Sequence, residues 1–357
     1  SIPPHAASKR GGTTRRRLIR TTVGMPWPQR QTICLHSALG VAMAGPTTPR
    51  IVLQLVINRL LTLVPLLLLV SLLAFLLVRL APGGPFDRDR ALASPEIERA
   101  LRERYDLDAP LWRQYARFLR GAVRGDLGPS LKYRNRSVGE ILAQGLPVSA
   151  SLGCCAFLFA LGVGIPVGFA GATRRGGWTD TTASLLALLA VCVPGFVIGP
   201  LLVLVFAVER GWFPVALWGG PLHLVLPVVT LGLYHAGRVA RFVRDGMGEV
   251  LTSPFIRAAR ARGLPESTVL LRHALPIAVL PVVAFSGPLL ADLLTGSFVV
   301  ENLFQLPGIG TLTVNSALNR DYPVIVGLVL LYAALLLVLN LAADLLHAWL
   351  DPRIRHA

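Results

Sequence analysis

Charged residues are scarce in this chain of 357 residues. Asp, Glu, Lys and Arg make up only 15% of it, whereas 53% is hydrophobic and the mean hydropathy is +0.60. Soluble domains carry about 25% charged residues, so this composition argues against a soluble protein. A membrane-spanning helix needs about 20 apolar residues. Six windows of this kind contain no charged residue: 60–78, 141–173, 181–208, 211–237, 273–291 and 322–343. We therefore predict an all-α polytopic membrane protein with six transmembrane helices.

Lysine is almost absent. The two lysines, Lys9 and Lys132, do not lie in a GxxxxGK[ST] phosphate loop, so this chain has no Walker A motif with which to bind ATP. The sequence also lacks the GxSxG, HExxH and GxGD-like patterns that a membrane-embedded hydrolase would need. We therefore predict that the chain is not an enzyme.

Cysteine is also infrequent, with four residues in all. Three of them, Cys154, Cys155 and Cys192, lie in hydrophobic windows, and Cys34 stands alone near the start. Neither disulfide spacing nor zinc spacing is present, and the seven histidines are scattered. The sequence thus predicts no metal site and no cofactor on this chain.

The net charge of +16 has a local origin. Residues 1–50 contain eight Lys and Arg and no acidic residue, which accounts for half of it. The remaining arginines lie mainly at the borders of the hydrophobic windows, where arginine anchors membrane helices, so nucleic-acid binding is set aside. Residues 1–50 are expected to be a disordered tail or an over-extended gene model, with translation starting at Met43.

The remaining chain divides into a first transmembrane helix (51–80), a loop domain (81–146), a five-helix core (147–350) and a short C-terminus (351–357). The loop domain is expected to contain an amphipathic helix at 95–105. Arginines concentrate in the short stretches 174–180 and 241–272 and at the C-terminus, whereas the loops near 209–221 and 301–321 contain few. The positive-inside rule then places both termini in the cytoplasm and the loop domain outside.

Small residues and prolines recur inside the windows. Glycine and alanine at helix-packing spacing are consistent either with ordinary helix packing or with a translocation path. The small residues are Gly162, Gly164, Gly168, Gly195, Gly199, Gly232, Ala236 and Ala240. The prolines expected to kink or interrupt helices are Pro147, Pro166, Pro194, Pro200 and Pro227. Asp292 is the one acidic residue that interrupts the fifth apolar stretch. The sequence offers no partner for its charge, so we favour a position at the outer membrane interface over a contact with substrate.

The segment 253–265 is predicted to form a short helix between the fourth and fifth spans. Ser253 occupies the capping position, Pro254 the first turn and Gly263 the stop. Phe255, Ile256, Ala259 and Arg260 fall at helical spacing. A short helix of this kind suits docking into a groove on a cytoplasmic partner, and an amphipathic helix lying on the lipid surface is an equal alternative.

The same segment carries a family resemblance. RAARARG at 257–263 followed by HALP at 273–276 resembles the EAA signature of ATP-binding-cassette importer permeases, with Arg257 and His273 replacing the usual Glu and Ile. These replacements are similar to the form found in the oligopeptide and dipeptide permease family, and the oligopeptide branch is the most similar. Five further segments resemble that family: RLAPGGPF (79–86), GDLGPS (125–130), GSFVVENLFQLPGIG (296–310), VNSALNRDY (314–322) and DPRIR (351–355). The resemblance runs from about residue 51 to the end.

The resemblance implies a type I importer permease fold in a bacterial inner membrane. It implies that this chain forms a heterodimer with a homologous permease above two ATPase subunits that bind ATP and magnesium, and that a periplasmic peptide-binding protein delivers the substrate. Six residues are implied to couple to the ATPase: Arg257, Ala258, Ala259, Gly263, Leu275 and Pro276. Dipeptide, nickel, glutathione and murein-peptide importers remain alternative substrate classes, and a self-contained channel or secondary transporter is the rival class of protein.

Overall fold

The computed structural model describes residues 49–80, 109–133, 135–295 and 297–350. Within these ranges the chain is helical, and its only β contact is an isolated bridge between Pro129 and Ser137. The expected tail up to residue 48, the expected helix at 95–105 and the C-terminal segment 351–357 lie outside the described residues.

The helices in chain order are α1 (Pro49–Leu80), α2 (Leu111–Val123), α3 (Val138–Thr173), α4 (Trp178–Cys192), α5 (Gly195–Leu202), α6 (Pro221–Val250), α7 (Pro254–Ala261), α8 (Glu266–Thr268), α9 (Leu275–Ala278), α10 (Leu280–Thr295), α11 (Phe298–Leu303), α12 (Ile309–Asn319) and α13 (Tyr322–Leu350). Wider π-helical turns extend α5 through Val203–Glu209 and join α8 to α9 through Val269–Ala274.

Four of the described helical segments are long and apolar enough to cross a membrane: α3, α6, the run Leu280–Leu303 and the part of α13 up to Leu346. A fifth span results if α4 and the extended α5 are counted together. Helix α1 supplies the shorter apolar stretch Leu61–Leu77. The all-α membrane fold is confirmed, but the expected number of six spans is not reached by this criterion in the described ranges.

The third predicted span is broken. Helices α4 and α5 meet at Val193 and Pro194 with a bend of 104°. Proline has no backbone N–H to continue the helix, and the residue before it favours an extended backbone, as Val193 shows with ψ 119°. The expectation of a break therefore holds at Pro194, whereas α3 and α6 continue through Pro147, Pro166 and Pro227.

Two other boundaries differ from the charge-free windows. Helix α3 begins at Val138, within the expected loop domain, because Ser137 and Glu140 form a reciprocal capping box there. Helix α6 begins at Pro221 rather than 211 and extends to Val250. A charge-free window can include apolar loop residues, as at 211–220, and it stops at the nearest charged residue, such as Glu140 or Arg238. The helix itself need not begin or end at those points.

Glycines hold α3 against α6. A Cβ at Gly164 would lie 2.7 Å from the carbonyl oxygen of Ala236, and one at Gly168 would collide with that of Ala240. These four residues confirm that the small-residue pattern serves helix packing. Gly162 has open space around it and takes no part in this contact.

An ion pair joins α4 to α6 at the end of α6 that leads into α7. Arg244 Nε donates a hydrogen bond of 2.7 Å to Asp180 Oδ1, and Gly176 N donates one of 3.1 Å to the other carboxylate oxygen. The Asp180 side chain is only 11% exposed, so its charge needs these partners. The pair fixes the end of α6 from which the next helix departs.

Candidate functional site

Helix α7 has one face buried in its own chain. Ile256 is fully buried and Ala259 is 7% exposed. Both belong to the hydrophobic cluster that includes Met247 of α6, Val269 in the π-helical turns and Ala274 just before α9. The helix is therefore packed against the membrane helices on both sides of it and is not a loose surface loop.

The two ends of α7 are formed in different ways. Pro254 occupies the first turn as predicted, but the Ser253 hydroxyl donates back to the Val250 carbonyl oxygen and makes no capping bond to α7. At the other end Gly263 has φ +76°, and a Cβ there would meet nothing within 4 Å. Glycine is needed because the backbone is left-handed, and not because another described part of this chain approaches closely.

An ion pair closes the corner after α7. Arg260 donates two hydrogen bonds to Glu266, from Nε at 3.0 Å and from Nη2 at 2.6 Å. These bonds lower the pKa of the Glu266 carboxyl group below its ordinary value and raise the pKa of Arg260. The bidentate geometry holds α7 against the start of α8.

The other face of α7 is exposed and combines apolar and basic side chains. Phe255 is 43% exposed and Leu264 is 37% exposed. Arg257, Ala258 and Arg262 are exposed between them. An apolar anchor surrounded by positive charge is a surface suited to a protein groove with acidic residues at its rim.

The structure brings the residues implied by the resemblance into one region but gives them different surroundings. Arg257 and Ala258 lie on the exposed face, Ala259 lies on the buried face, and Gly263 forms the stop. Leu275 of α9 packs partly on the same hydrophobic cluster as Ala259, whereas its neighbour Pro276 is exposed. Ala259 and Leu275 thus attach the helix to the membrane domain, while Arg257 and Ala258 are exposed.

A buried carboxylate that the sequence did not single out lies elsewhere in the fold. Glu301 of α11 is fully buried and accepts hydrogen bonds from the hydroxyl groups of Ser149 and Ser297. It also accepts from the backbone amides of Gly310, at 2.8 Å, and Thr311, at 3.2 Å. The amides belong to the first turn of α12, so Glu301 caps that helix. The only sequence signal was its place in the GSFVVENLFQLPGIG segment, which does not indicate what it contacts.

Asp292 of α10 has a partner that the sequence did not offer. His235 Nε2 of α6 lies 3.9 Å from Asp292 Oδ2, and the Asp292 side chain is 57% exposed. His235 itself is 5% exposed, and its Nδ1 has no hydrogen-bond partner within the described part of the chain. The described residues contain no group of three or more His, Cys, Asp or Glu that could hold a metal ion.

These features define a class: a helical membrane protein with a short amphipathic helix, α7, built into the connection between two spans. Residues 164–356 match the family described as "Binding-protein-dependent transport system inner membrane component". The chain belongs to this family, the ABC importer permeases of the inner membrane, and within it to the oligopeptide and dipeptide permeases. It is a transport subunit and not an enzyme, as the sequence predicted.

Curated relatives cover most of the chain. It is 41% identical over 306 residues to the oligopeptide transport system permease protein OppB of Haemophilus influenzae, covering 85% of this chain and 100% of that protein. The identity to OppB of Escherichia coli K12 is 42% with the same coverage. The dipeptide transport system permease protein DppB of Bacillus subtilis is 39% identical over 81% of this chain and 94% of its own length.

Solved structures support the same fold. The inward-facing MetNI methionine ABC transporter, in its CY5 native crystal form, has a TM-score of 0.51 at 19% identity. The similarity covers 59% of this chain and 97% of the matched chain. At this identity the likeness shows the fold alone, which is that of an ABC importer permease.

Proposed function

We propose that this chain is a permease subunit of an ATP-driven oligopeptide importer. Among the relatives, those named for oligopeptide transport are 41–42% identical and match along their whole length. Those named for dipeptide transport are 37–39% identical over 94–98% of their length. Oligopeptides are therefore the proposed substrate class, and the family's other substrates become competitors in the test.

Helix α7 is proposed to couple the spans to a cytoplasmic ATPase. The observation that carries this proposal is its division into a buried face, with Ile256 and Ala259, and an exposed face, with Phe255 and Arg257. The buried face and the Arg260–Glu266 pair attach α7 firmly, so a displacement of α7 moves α6 and α9 with it. Alternating access follows when closure of the ATPases pushes this corner and rocks the spans.

The proposed assembly has four membrane-associated subunits and one delivery protein. This chain and a homologous permease each form half of the translocation path, and two ATPases bind ATP and magnesium beneath them. A periplasmic protein delivers the peptide. The arginines of 174–180 and 241–272 support a cytoplasmic position for α7 and both termini.

The test is uptake of a labelled tripeptide to pentapeptide in cells that lack this gene and in the same cells carrying it again. We expect ATP-dependent uptake to return only with the gene. An excess of unlabelled peptide of the same length is expected to compete, and dipeptide and nickel are expected to compete weakly. Uptake that stays absent although the partner subunits are present would contradict the oligopeptide assignment, as would strong competition by dipeptide or nickel.

The coupling role of α7 has a separate test. Purification of the restored complex should recover an ATPase together with this chain, and failure to recover an ATPase would contradict the coupling role of α7.

A further inference from the structure

Exposed residues of α10 lie on a single stripe. They recur every three or four residues, which keeps them on one side of a helix. The stripe consists of Pro281, Ala284, Pro288 and Asp292. Helix α6 carries a second stripe with the same spacing, formed by Tyr234, Arg238, Arg241 and Asp245. Arg238 is partly exposed, and the other three residues are exposed. The two helices therefore present neighbouring faces that are not covered by the described part of this chain.

Aromatic contacts join α6 and α10 beside the two stripes. The Arg238 guanidinium group lies 4.5 Å from the ring centre of Phe285 on α10. The rings of Phe242 and Phe285 are 5.3 Å apart, and His235 approaches Asp292 on the same pair of helices. The two stripes thus lie beside the contact between these helices, and together we call them the α6–α10 face.

The α6–α10 face differs from other exposed membrane surfaces of the chain. The large exposed side chains of α1, α4 and α13 are mainly leucine and valine, as expected for contact with lipid. By contrast, His235 is the fifteenth of the thirty residues of α6 and lies beside the charged Asp292. Ionisable side chains at such depth face a protein interior or a water-filled cavity, because contact with hydrocarbon is costly.

Two observations at this position indicate a ligand. Asp292 is more than half exposed, and the one described side chain within ion-pair distance of it is His235, at 3.9 Å. His235 is more than nine-tenths buried, and its Nδ1 lacks a hydrogen-bond partner in the described ranges. A buried imidazole with one unsatisfied nitrogen, held against an open carboxylate, leaves acceptor capacity for a cationic group.

We propose that the α6–α10 face lines the translocation path and that Asp292 binds the positively charged amino terminus of the passing peptide. His235 is a positioning residue that holds the carboxylate toward the path. The occupant follows from charge: an open carboxylate in a low-dielectric path attracts an ammonium group, which every peptide with a free amino terminus carries. This inference rests on the proposed function, since it assumes that the cargo is a peptide.

The test compares the Asp292→Asn and Asp292→Glu variants with the unaltered chain in the complete complex with its delivery protein. Labelled trialanine is the probe, and N-acetyltrialanine, which lacks the charge, is its matched counterpart. Glu209→Gln is the control, because it removes an exposed carboxylate at the end of the π-helical turns after α5, outside the α6–α10 face. Because the delivery protein is the same throughout, a changed preference for the free amino terminus reports on the permease alone.

We expect Asp292→Asn to raise the KM for trialanine about tenfold, the effect of losing one charge-assisted hydrogen bond. The KM for N-acetyltrialanine should not change, and Asp292→Glu should retain most of the preference. The proposal is overturned if Asp292→Asn leaves the trialanine KM unchanged or raises both KM values equally. It is also overturned if this variant prevents the two permeases from assembling, because Asp292 then belongs to their contact. If the unaltered complex imports no tripeptide at all, the proposed function itself fails.

Discussion

Ser149 of α3 donates a hydrogen bond of 2.6 Å to Glu301 of α11, which lies 152 positions away in the sequence. The same serine oxygen accepts a hydrogen bond of 2.8 Å from the backbone amide of Ile309. Both Ser149 and Glu301 are fully buried. One hydroxyl group therefore satisfies a buried carboxylate and the first amide of α12 together, and links three helices.

Replacing Ser149 with alanine is expected to destabilise the protein by about 1 to 3 kcal/mol, because Glu301 and the Ile309 amide then lose a partner inside the protein. The measurement is the unfolding free energy of the detergent-solubilised protein. Ser151→Ala is the control, since the Ser151 hydroxyl bonds only to the Val148 carbonyl one turn earlier in the same helix. Equal effects of the two variants would show that the Ser149–Glu301 bond contributes nothing specific.

Gly168 is expected to tolerate no larger side chain. A Cβ there collides with the Ala240 backbone, which cannot move aside as a flexible side chain can. Gly168→Leu should therefore separate α3 from α6 and cost at least about 3 kcal/mol, the upper range for overpacking. Gly162→Leu lies on the same helix but in open space, so it should change the folded yield little. Folded yield is measured by size-exclusion chromatography in detergent.

The features that the sequence predicted well are those set by local chemistry. Apolar length indicates membrane helices because lipid forces every backbone polar group to bond within its own segment. The ends of α7 could also be predicted, because Pro254 and Gly263 restrict or permit backbone conformations at their own positions. The small-residue pattern left helix packing and a translocation path open, and it did not show that Gly164 and Gly168 face α6.

The pairs between distant helices could not be predicted. Helical periodicity shows which residues share a face, but not which other helix that face meets. His235 and Asp292, Arg244 and Asp180, and Ser149 and Glu301 are each more than 50 positions apart. Spacing also grouped Phe255 and Arg260 with Ile256 and Ala259, although only the last two are buried. The break at Pro194 was expected, but its angle depends on how α5 packs.

A substitution series at Gly263 separates backbone strain from docking. Any non-glycine residue at φ +76° is expected to cost about 1 to 2 kcal/mol, and asparagine less than alanine because it tolerates this conformation better. Gly263→Trp should cost about as much stability as Gly263→Ala, because its side chain meets open space in this chain. Peptide uptake should nevertheless be lost only in Gly263→Trp, where the indole obstructs the ATPase. Unchanged uptake with Gly263→Trp would refute docking at this end of α7.

The Arg260–Glu266 pair is expected to determine how efficiently ATP hydrolysis drives transport. Glu266→Gln weakens the bidentate contact that holds α7 against α8, so each imported peptide should require more ATP. Arg260→Gln should have the same effect, and the double variant should be no worse than either, because the two residues act as one unit. The measurement is ATP hydrolysed per labelled peptide imported into proteoliposomes containing the complete complex.

The pH dependence of this corner follows from the lowered pKa of Glu266, whose cause is the hydrogen bonding from Arg260. A carboxyl group with a lowered pKa stabilises the folded state above its ordinary pKa and loses that contribution as the pH falls through the lowered value. The difference in ATP use between Glu266→Gln and the unaltered chain should therefore largely persist from pH 7 down to about pH 4.5, where a carboxyl group with the ordinary pKa would be half protonated. Glu249→Gln, which removes an exposed carboxylate near the end of α6, is the control and should leave the number of ATP molecules hydrolysed per imported peptide unchanged. A difference that shrinks to about half between pH 7 and about pH 4.5 would mean that Arg260 does not lower the pKa of Glu266.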